Sequence, residues 1–321
     1  MTDLNLWQFI LSQVKKGTPV ALLCVMESHG SSPGRRGFKM AVAHKKIVGS
    51  IGGGMMEYKF VELAKEMLVS DREPFSLKKQ IHSKSAKINQ SGMICSGEQT
   101  IYLSLIKNSD IDSIEAMIAS LNMNQHGTLH IDPSGISFGI IPPKDDYYFE
   151  MTNDEIWKYS ERIGFKNKLH IIGGGHCSLA LSELMSKMDF NISVFDDRPG
   201  LNTMVDNGFV QTKFVLNNYN DLSKLINSGN DVYVVIMTLG YRSDNIALQT
   251  LIDKDFKYLG VLGSKSKMKE LFADWKKAGI PEKKLQKIHS PIGIDIRSQT
   301  PMEIAVSIAA EIIREKNITL P

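Results

Sequence analysis

A lone thiol in a loop, runs of glycine that open helices, and charged side chains beside those runs are what this 321-residue chain offers for chemistry. Cys95 sits in GMICSGEQ, a polar, glycine-flanked loop ahead of a strand. Loop exposure permits ionisation, and a thiolate there could bind a soft metal or a sulfur-rich ligand; the alternative is a buried spectator thiol. Cys24 is centred in an apolar strand and reads as a spectator. Cys177 falls at a predicted helix N-terminus, which could lower its pKa, unless the thiol simply packs in a core.

Two glycine loops have the context of anion cradles. GSIGGGMME at 49–57 places Gly52, Gly53 and Gly54 ahead of a helix, where backbone N–H groups and the helix dipole converge. It lacks the GK[ST] ending and is no P-loop; the plainer reading is a tight strand-to-helix turn. GGGHCS at 173–178 lies between a predicted strand and helix, as a dinucleotide fingerprint requires. Gly173 permits the turn and Gly175 the close approach of a phosphate, but Ser178 stands where the third glycine belongs. Asp196 follows 23 residues after Gly173 and could bind a ribose hydroxyl. His176 shares that loop, and Asp197 and Arg198 follow the next strand, where they could pair with each other. The loop GSSPGRRG at 30–37 adds the hydroxyl of Ser32 and the guanidiniums of Arg35 and Arg36, which could clamp a phosphate; its plainer reading is a solvated turn. Glu57 and Glu98 read as surface acids. No Ser-His-Asp order, HExxH motif or spaced carboxylate pair emerges, so the chain offers binding loops without a nucleophile or general base.

The elements that must position these residues follow two grammars. The first half predicts a helix on Leu6, Phe9, Ile10 and Val14, then strands at 20–26, 38–43 and 47–50 and a helix from 55 to 69. A strand at 100–106, a helix near 110–121, and strands near 128–132 and 136–141 complete an α/β domain whose sheet order pattern alone does not give. Pro142-Pro143, an acidic pair and a weakly amphipathic piece make 142–168 a connecting stretch, which divides the chain into a domain at 1–150, a linker at 151–168 and a domain at 169–321. From Leu169 the order becomes strand, glycine turn, helix over 176–188 and strand, with further strands at 231–237, 258–262 and 285–289. That alternation predicts a Rossmann-like, doubly wound parallel sheet. The closing helix has a start signal in Thr300, Pro301 and Glu303, and a buried stripe in Ile304, Ile308 and Ile312.

Composition narrows the function classes. A hydrophobic fraction of 42% and a charged fraction of 23% describe a globular protein. A net charge of +3 calls for neither nucleic acid nor an anionic membrane. The apolar run from Val232 to Met237 is too short to span a bilayer, and MTDLNLWQFI does not read as a signal peptide. Three scattered cysteines fit a reducing cytoplasm rather than a disulfide or zinc framework.

Taken together, GSSPGRRGFKMAV, GSIGGGMME, ICSGE, IIGGGHCSLAL, FDDRP, TLGYRSDNIAL, YLGVLGSKSKM and SPIGIDIRSQTPMEIAVSIAAEII resemble the XdhC/CoxI family of accessory proteins for xanthine and carbon monoxide dehydrogenases. They run in family order from residue 30 to 313. The resemblance implies an N-terminal accessory domain joined to a C-terminal Rossmann-like domain, as a homodimer. It further implies a chaperone rather than the redox catalyst. Such a protein binds molybdenum cofactor (molybdopterin), protects it during sulfuration by a cysteine desulfurase, and inserts it into an apo xanthine-dehydrogenase-type molybdoenzyme. On that resemblance Cys95 becomes the molybdenum or dithiolene contact, and Gly52–Gly54 with Arg35 and Arg36 hold the pterin phosphate. The competing reading is an NAD(P)-dependent oxidoreductase, with a nucleotide or NAD(P) held by the C-terminal domain. Two positions depart from the family pattern: Cys95-Ser96-Gly97 replaces Cys-Gly-Gly, and Gly240-Tyr241 replaces Gly-His.

Overall fold

A computed structural model describes residues 2–70, 75–81 and 97–318. They form two compact units, 1–164 and 165–321.

The first unit runs α1 (Thr2–Val14), β1 (Val20–Gly30), β2 (Lys39–Ala43), β3 (Lys46–Gly49), α2 (Gly54–Val69), β4 (Phe75–Ile81), β5 (Gly97–Leu105), α3 (Ile111–Asn122), β6 (Gly127–Asp132), β7 (Gly135–Gly139), β8 (Tyr147–Asn153) and β9 (Ile156–Ile163). All strand pairs are antiparallel, in a five-stranded sheet ordered β3-β2-β1-β5-β4 and a four-stranded sheet ordered β7-β6-β9-β8. Central β1 is buried on both faces from Val20 to Met26. The period of two sends Val20, Leu22, Cys24 and Met26 into a core shared with Trp7 and Ile10 of α1 and Tyr159 of β9. Ala21, Leu23 and Val25 point the other way, against Met56, Phe60 and Ala64 of α2.

The stretch expected to be a linker, 151–168, is instead structured. It holds the end of β8, all of β9, which pairs with both β8 and β6, and the start of the next unit's first strand. Trp157, Tyr159, Glu161 and Ile163 alternate inward along β9, so burial of every second residue outweighs the polar composition that suggested a connector.

The second unit contains β10 (Asn167–Ile172), α4 (His176–Met185), β11 (Phe190–Asp196), α5 (Asn202–Val205), β12 (Thr212–Val215), α6 (Leu222–Leu225), β13 (Gly229–Ile236), α7 (Tyr241–Leu251), β14 (Phe256–Val261), α8 (Lys265–Lys277), α9 (Glu282–Leu285) and α10 (Pro301–Asn317). Its strands are all parallel, in the order β12-β11-β10-β13-β14. The order reverses between β10 and β13, and an open parallel sheet binds ligands beyond the carboxyl ends of its strands at that switch point. The expected strand at 285–289 is absent. Its start closes α9, and only His289 bridges β14, at Gly260. The signal at the last helix holds: Thr300 and Glu303 form a reciprocal capping box, and Pro301 occupies the first turn. Ala305, Ile308, Ala309 and Ile312 of α10 share a core with Ala180, Leu181 and Met185 of α4.

Candidate functional site

In the first unit, three of the motif loops meet backbone to backbone. A Cβ added to Gly34 would lie 2.1 Å from the carbonyl oxygen of Ile51, and one added to Gly52 would lie 2.4 Å from the Gly34 nitrogen. At the start of β5, a Cβ on Gly97 would lie 2.6 Å from the backbone of Ser31 and Ser32. Only glycine permits such approach, and Gly52 also holds φ +125°. Ser32 is buried and donates its hydroxyl to the Gly34 carbonyl at 2.9 Å. Gln99, a buried residue that the sequence motifs do not single out, joins the loops. Its Oε1 accepts from Gly34 N–H at 3.2 Å, and its Nε2 meets the Met56 sulfur at 3.3 Å. A polar residue buried in a strand must find such partners, but its burial emerges only in the assembled sheet.

The arginines of this loop have different surroundings. Arg36 is half-buried, with its guanidinium 3.4 Å from Glu27 and its N–H donating to Ser28 Oγ. Arg35 is exposed and donates one hydrogen bond to the Gly30 carbonyl, which leaves most of its donors facing solvent. The base of the loop is braced from below. Lys39 donates to the Gly37 carbonyl at 3.0 Å and pairs with Glu161 at 2.6 Å, both side chains being almost wholly buried. Asp3 lies 3.5 Å from the same ammonium, and Tyr159 donates to Glu161 at 2.9 Å. Burial opposes the charge on Lys39, but the neighbouring carboxylates of Asp3 and Glu161 overcome it and hold its pKa above the ordinary lysine value. The adjacent Cys24 thiol is pushed up to about 12, chiefly by burial, which fits a spectator role.

The glycine turn before α2 holds an anion supplied by the chain itself. Glu57 Oε2 accepts from Ser50 Oγ at 2.6 Å, from Gly53 N–H at 2.9 Å and from Ile51 N–H at 3.0 Å. The convergence of donors expected at Gly52–Gly54 is therefore present, and the acid expected to lie idle on the surface fills it. Gly54 remains exposed, and a Cβ on Gly53 would meet nothing within 4 Å. Cys95 lies outside the described residues. Among those described, no group of three or more His, Cys, Asp and Glu side chains could hold a metal ion.

In the second unit a cleft of about 710 Å³ opens at the switch point. Gly175, His176, Cys177, Ser178, Arg198, residues 200–203, Met237, Thr238, Leu239 and Leu262 line it. Gly173 makes the turn as expected, at φ +110°, with the Met237 carbonyl oxygen only 2.3 Å from where a Cβ would stand. Gly175 caps α4 and faces open space, and His176 is exposed on the first turn. Cys177 is half-buried, and burial raises its pKa, so proximity to the helix terminus does not activate it.

Asp196 lies where a ribose-binding acid belongs, but its carboxylate is fully engaged. It accepts from Gly174 N–H at 2.6 Å, from Arg198 Nε at 2.8 Å and from Arg198 Nη2 at 2.7 Å. Burial alone would raise its pKa; the Arg198 and Gly174 bonds outweigh that and hold it below the usual carboxylate range. Arg198 thus pairs with Asp196 and not with Asp197, whose carboxylate accepts from the Tyr219 hydroxyl at 3.1 Å. Buried Asp244 fixes the turn after β13. It accepts from Thr238 N–H at 3.0 Å and Thr238 Oγ1 at 2.6 Å, and pairs with Lys267. Tyr241, at the position that departs from the family pattern, donates to Asp274 at 2.6 Å.

The expected site residues thus fall into two groups. Ser32, Arg35, Arg36 and Gly52–Gly54 belong to the first unit, and Gly173, Gly175, His176, Asp196, Asp197 and Arg198 to the second.

Comparison with known proteins agrees with this division. Residues 169–312 match the XdhC Rossmann domain, and residues 13–77 match the XdhC and CoxI family. The chain is 24% identical to the uncharacterized protein YqeB of Escherichia coli (strain K12) over 308 residues, 94% of this chain and 44% of that protein. It is 27% identical to a probable xanthine dehydrogenase subunit of Bacillus subtilis (strain 168) over 171 residues, 53% of this chain and 48% of that protein. The chain therefore spans about half the length of the curated relatives it matches. A crystal structure of a xanthine dehydrogenase from Bacillus halodurans shares the fold, with a TM-score of 0.72 and 22% identity over 99% of this chain and 97% of that one. The chain belongs to the XdhC and CoxI family.

Proposed function

We propose that this member of the XdhC and CoxI family is an accessory factor in the maturation of a xanthine-dehydrogenase-type molybdoenzyme. In this reading it binds molybdenum cofactor, keeps it accessible to a cysteine desulfurase that supplies the sulfur, and delivers it to the apo-enzyme. The observation that carries the reading is the meeting of three motif loops at Gly34, Gly52 and Gly97, clamped by Gln99. Close backbone packing of this kind makes a preformed platform, and preformed platforms bind without a large ordering cost. Exposed Arg35 supplies unused donors beside it, and Cys95 precedes Gly97 by two residues. A thiolate is a ligand suited to molybdenum and its dithiolene, and a guanidinium suits the pterin phosphate.

The acid that would grip a nicotinamide dinucleotide is engaged by Arg198, which disfavours the reading as an NAD(P)-dependent oxidoreductase. The proposed function includes a homodimer working in the cytoplasm. No helix among the described residues is long and apolar enough to cross a membrane.

The test is to express the protein in molybdenum-replete cells, then measure molybdenum and pterin fluorescence in the purified protein. Both are expected at comparable stoichiometry, and adding the loaded protein to apo-dehydrogenase should restore activity faster than free cofactor does. A protein that carries no pterin and does not speed that restoration would refute the proposal.

A further inference from the structure

The cleft of the second unit has a feature that the proposed function does not use. Ser178 is 1% exposed, lines the cleft, and has no hydrogen-bond partner for its Oγ. A buried hydroxyl without a partner carries a desolvation cost of about 1–3 kcal/mol, which a ligand acceptor would remove. It sits on the third residue of α4, a helix of 10 residues whose first turn carries no acid. The N–H groups of His176, Cys177 and Ser178 belong to that turn and have no acceptor within the helix. They contrast with the turn before α2, where Glu57 already takes the donors.

We propose that this cleft anchors a phosphate monoester of a planar heterocycle, with its phosphate on the amides of His176–Ser178 and the Ser178 hydroxyl. Arg198 lines the cleft and spends Nε and Nη2 on Asp196, which leaves Nη1 for the anion. Leu201, Met237, Leu239 and Leu262 provide apolar surface beyond the phosphate end, and Leu239 is 82% exposed, as a side chain awaiting a flat ligand would be. A cleft of about 710 Å³ holds such a molecule with room for its sugar or side chain.

Two observations exclude the dinucleotide mode. Asp196 has no acceptor capacity turned outward for a ribose diol, because Gly174 and Arg198 occupy both oxygens. Ser178 also replaces the glycine that lets helix and strand close around a pyrophosphate. The monoester fits either a pterin phosphate or a 5′-mononucleotide. The cleft is lined by residues of the second unit alone, whereas the cargo platform of the proposed function belongs to the first.

Calorimetry on the full chain with neopterin monophosphate, AMP and NAD⁺ tests this. At least one monoester should bind, and Ser178→Ala should weaken it about tenfold, the scale of one hydrogen bond to a charged group. The melting temperature should not fall, since the hydroxyl satisfies nothing within the protein. The tighter of the two monoesters identifies the source. The proposal is overturned if neither monoester binds, if Ser178→Ala binds as tightly as wild type, or if NAD⁺ binds more tightly than both. Because no molybdenum enters the assay, this inference and the proposed function can fail separately.

Discussion

Glu161→Ala is expected to destabilise the first unit by about 3–5 kcal/mol, the cost of leaving a buried charge without its partner. Lys39 would keep its ammonium in a site where the side chain is 1% exposed, with, among the described residues, Asp3 at 3.5 Å and the Gly37 carbonyl left to satisfy it. Tyr159 would lose its acceptor as well. The loss reaches the site, because Lys39 holds the end of the loop that carries Arg35 and Arg36. Denaturant unfolding read at the midpoint measures the effect. The double variant Lys39→Met with Glu161→Leu should recover most of the stability, since replacing both charges removes the desolvation cost along with the attraction. A double variant as unstable as the single one would show that the pair is not the cause. The pH window follows from the sign of the shift. A lysine whose folded pKa lies above its ordinary value contributes fully below about pH 10.4, and the contribution fades as pH rises further. The wild-type unit should therefore lose stability in strong alkali, and the double variant, which has no lysine there, should lose less.

Gly52→Ala is expected to part the loops that form the platform. The residue holds φ +125°, which costs an L side chain about 1–3 kcal/mol, and its Cβ would lie 2.4 Å from the Gly34 nitrogen. Strain and overlap together predict a loss of about 2–4 kcal/mol in the first unit, with limited proteolysis cutting first within 30–54. Gly53→Ala is the control, since its Cβ would meet nothing within 4 Å and only the φ of +75° is strained. Equal effects at the two positions would mean that backbone conformation, not contact between the loops, governs the site.

Much of this architecture is legible in the residues, for reasons that differ by element. The continuous apolar run of β1, the helical spacing in α1 and the glycine turn ahead of α2 are local signals, and they place those elements close to where they lie. The capping box at Thr300 and Glu303 is likewise local and forms as its spacing implies. The hairpin of β8 and β9 is hidden because its outward residues are polar and Pro142-Pro143 precedes it, although Trp157, Tyr159 and Ile163 carry the alternation. What spacing does not reveal is which donors meet which acceptors. Both glycine cradles exist, yet whether Glu57 or a ligand fills the first depends on a rotamer seven residues from Ser50, and no spacing rule distinguishes the two. The same holds for Asp196: its position is legible, but its capture by Arg198 and not by a ribose is a matter of three-dimensional geometry. Gln99 and the Lys39–Glu161 pair join segments far apart in sequence, so their roles emerge only once the sheets are assembled.

The central claim is that Cys95 and the glycine platform together grip a molybdenum-bearing pterin, and the most direct measurement is cofactor retention by Cys95→Ala. Wild-type protein and variant, purified side by side from molybdenum-replete cells, should differ at least about tenfold in molybdenum and pterin per chain while melting at the same temperature, a difference of about 1.4 kcal/mol in binding. A Cys95→Ala protein that retains as much cofactor as the wild type would contradict the account.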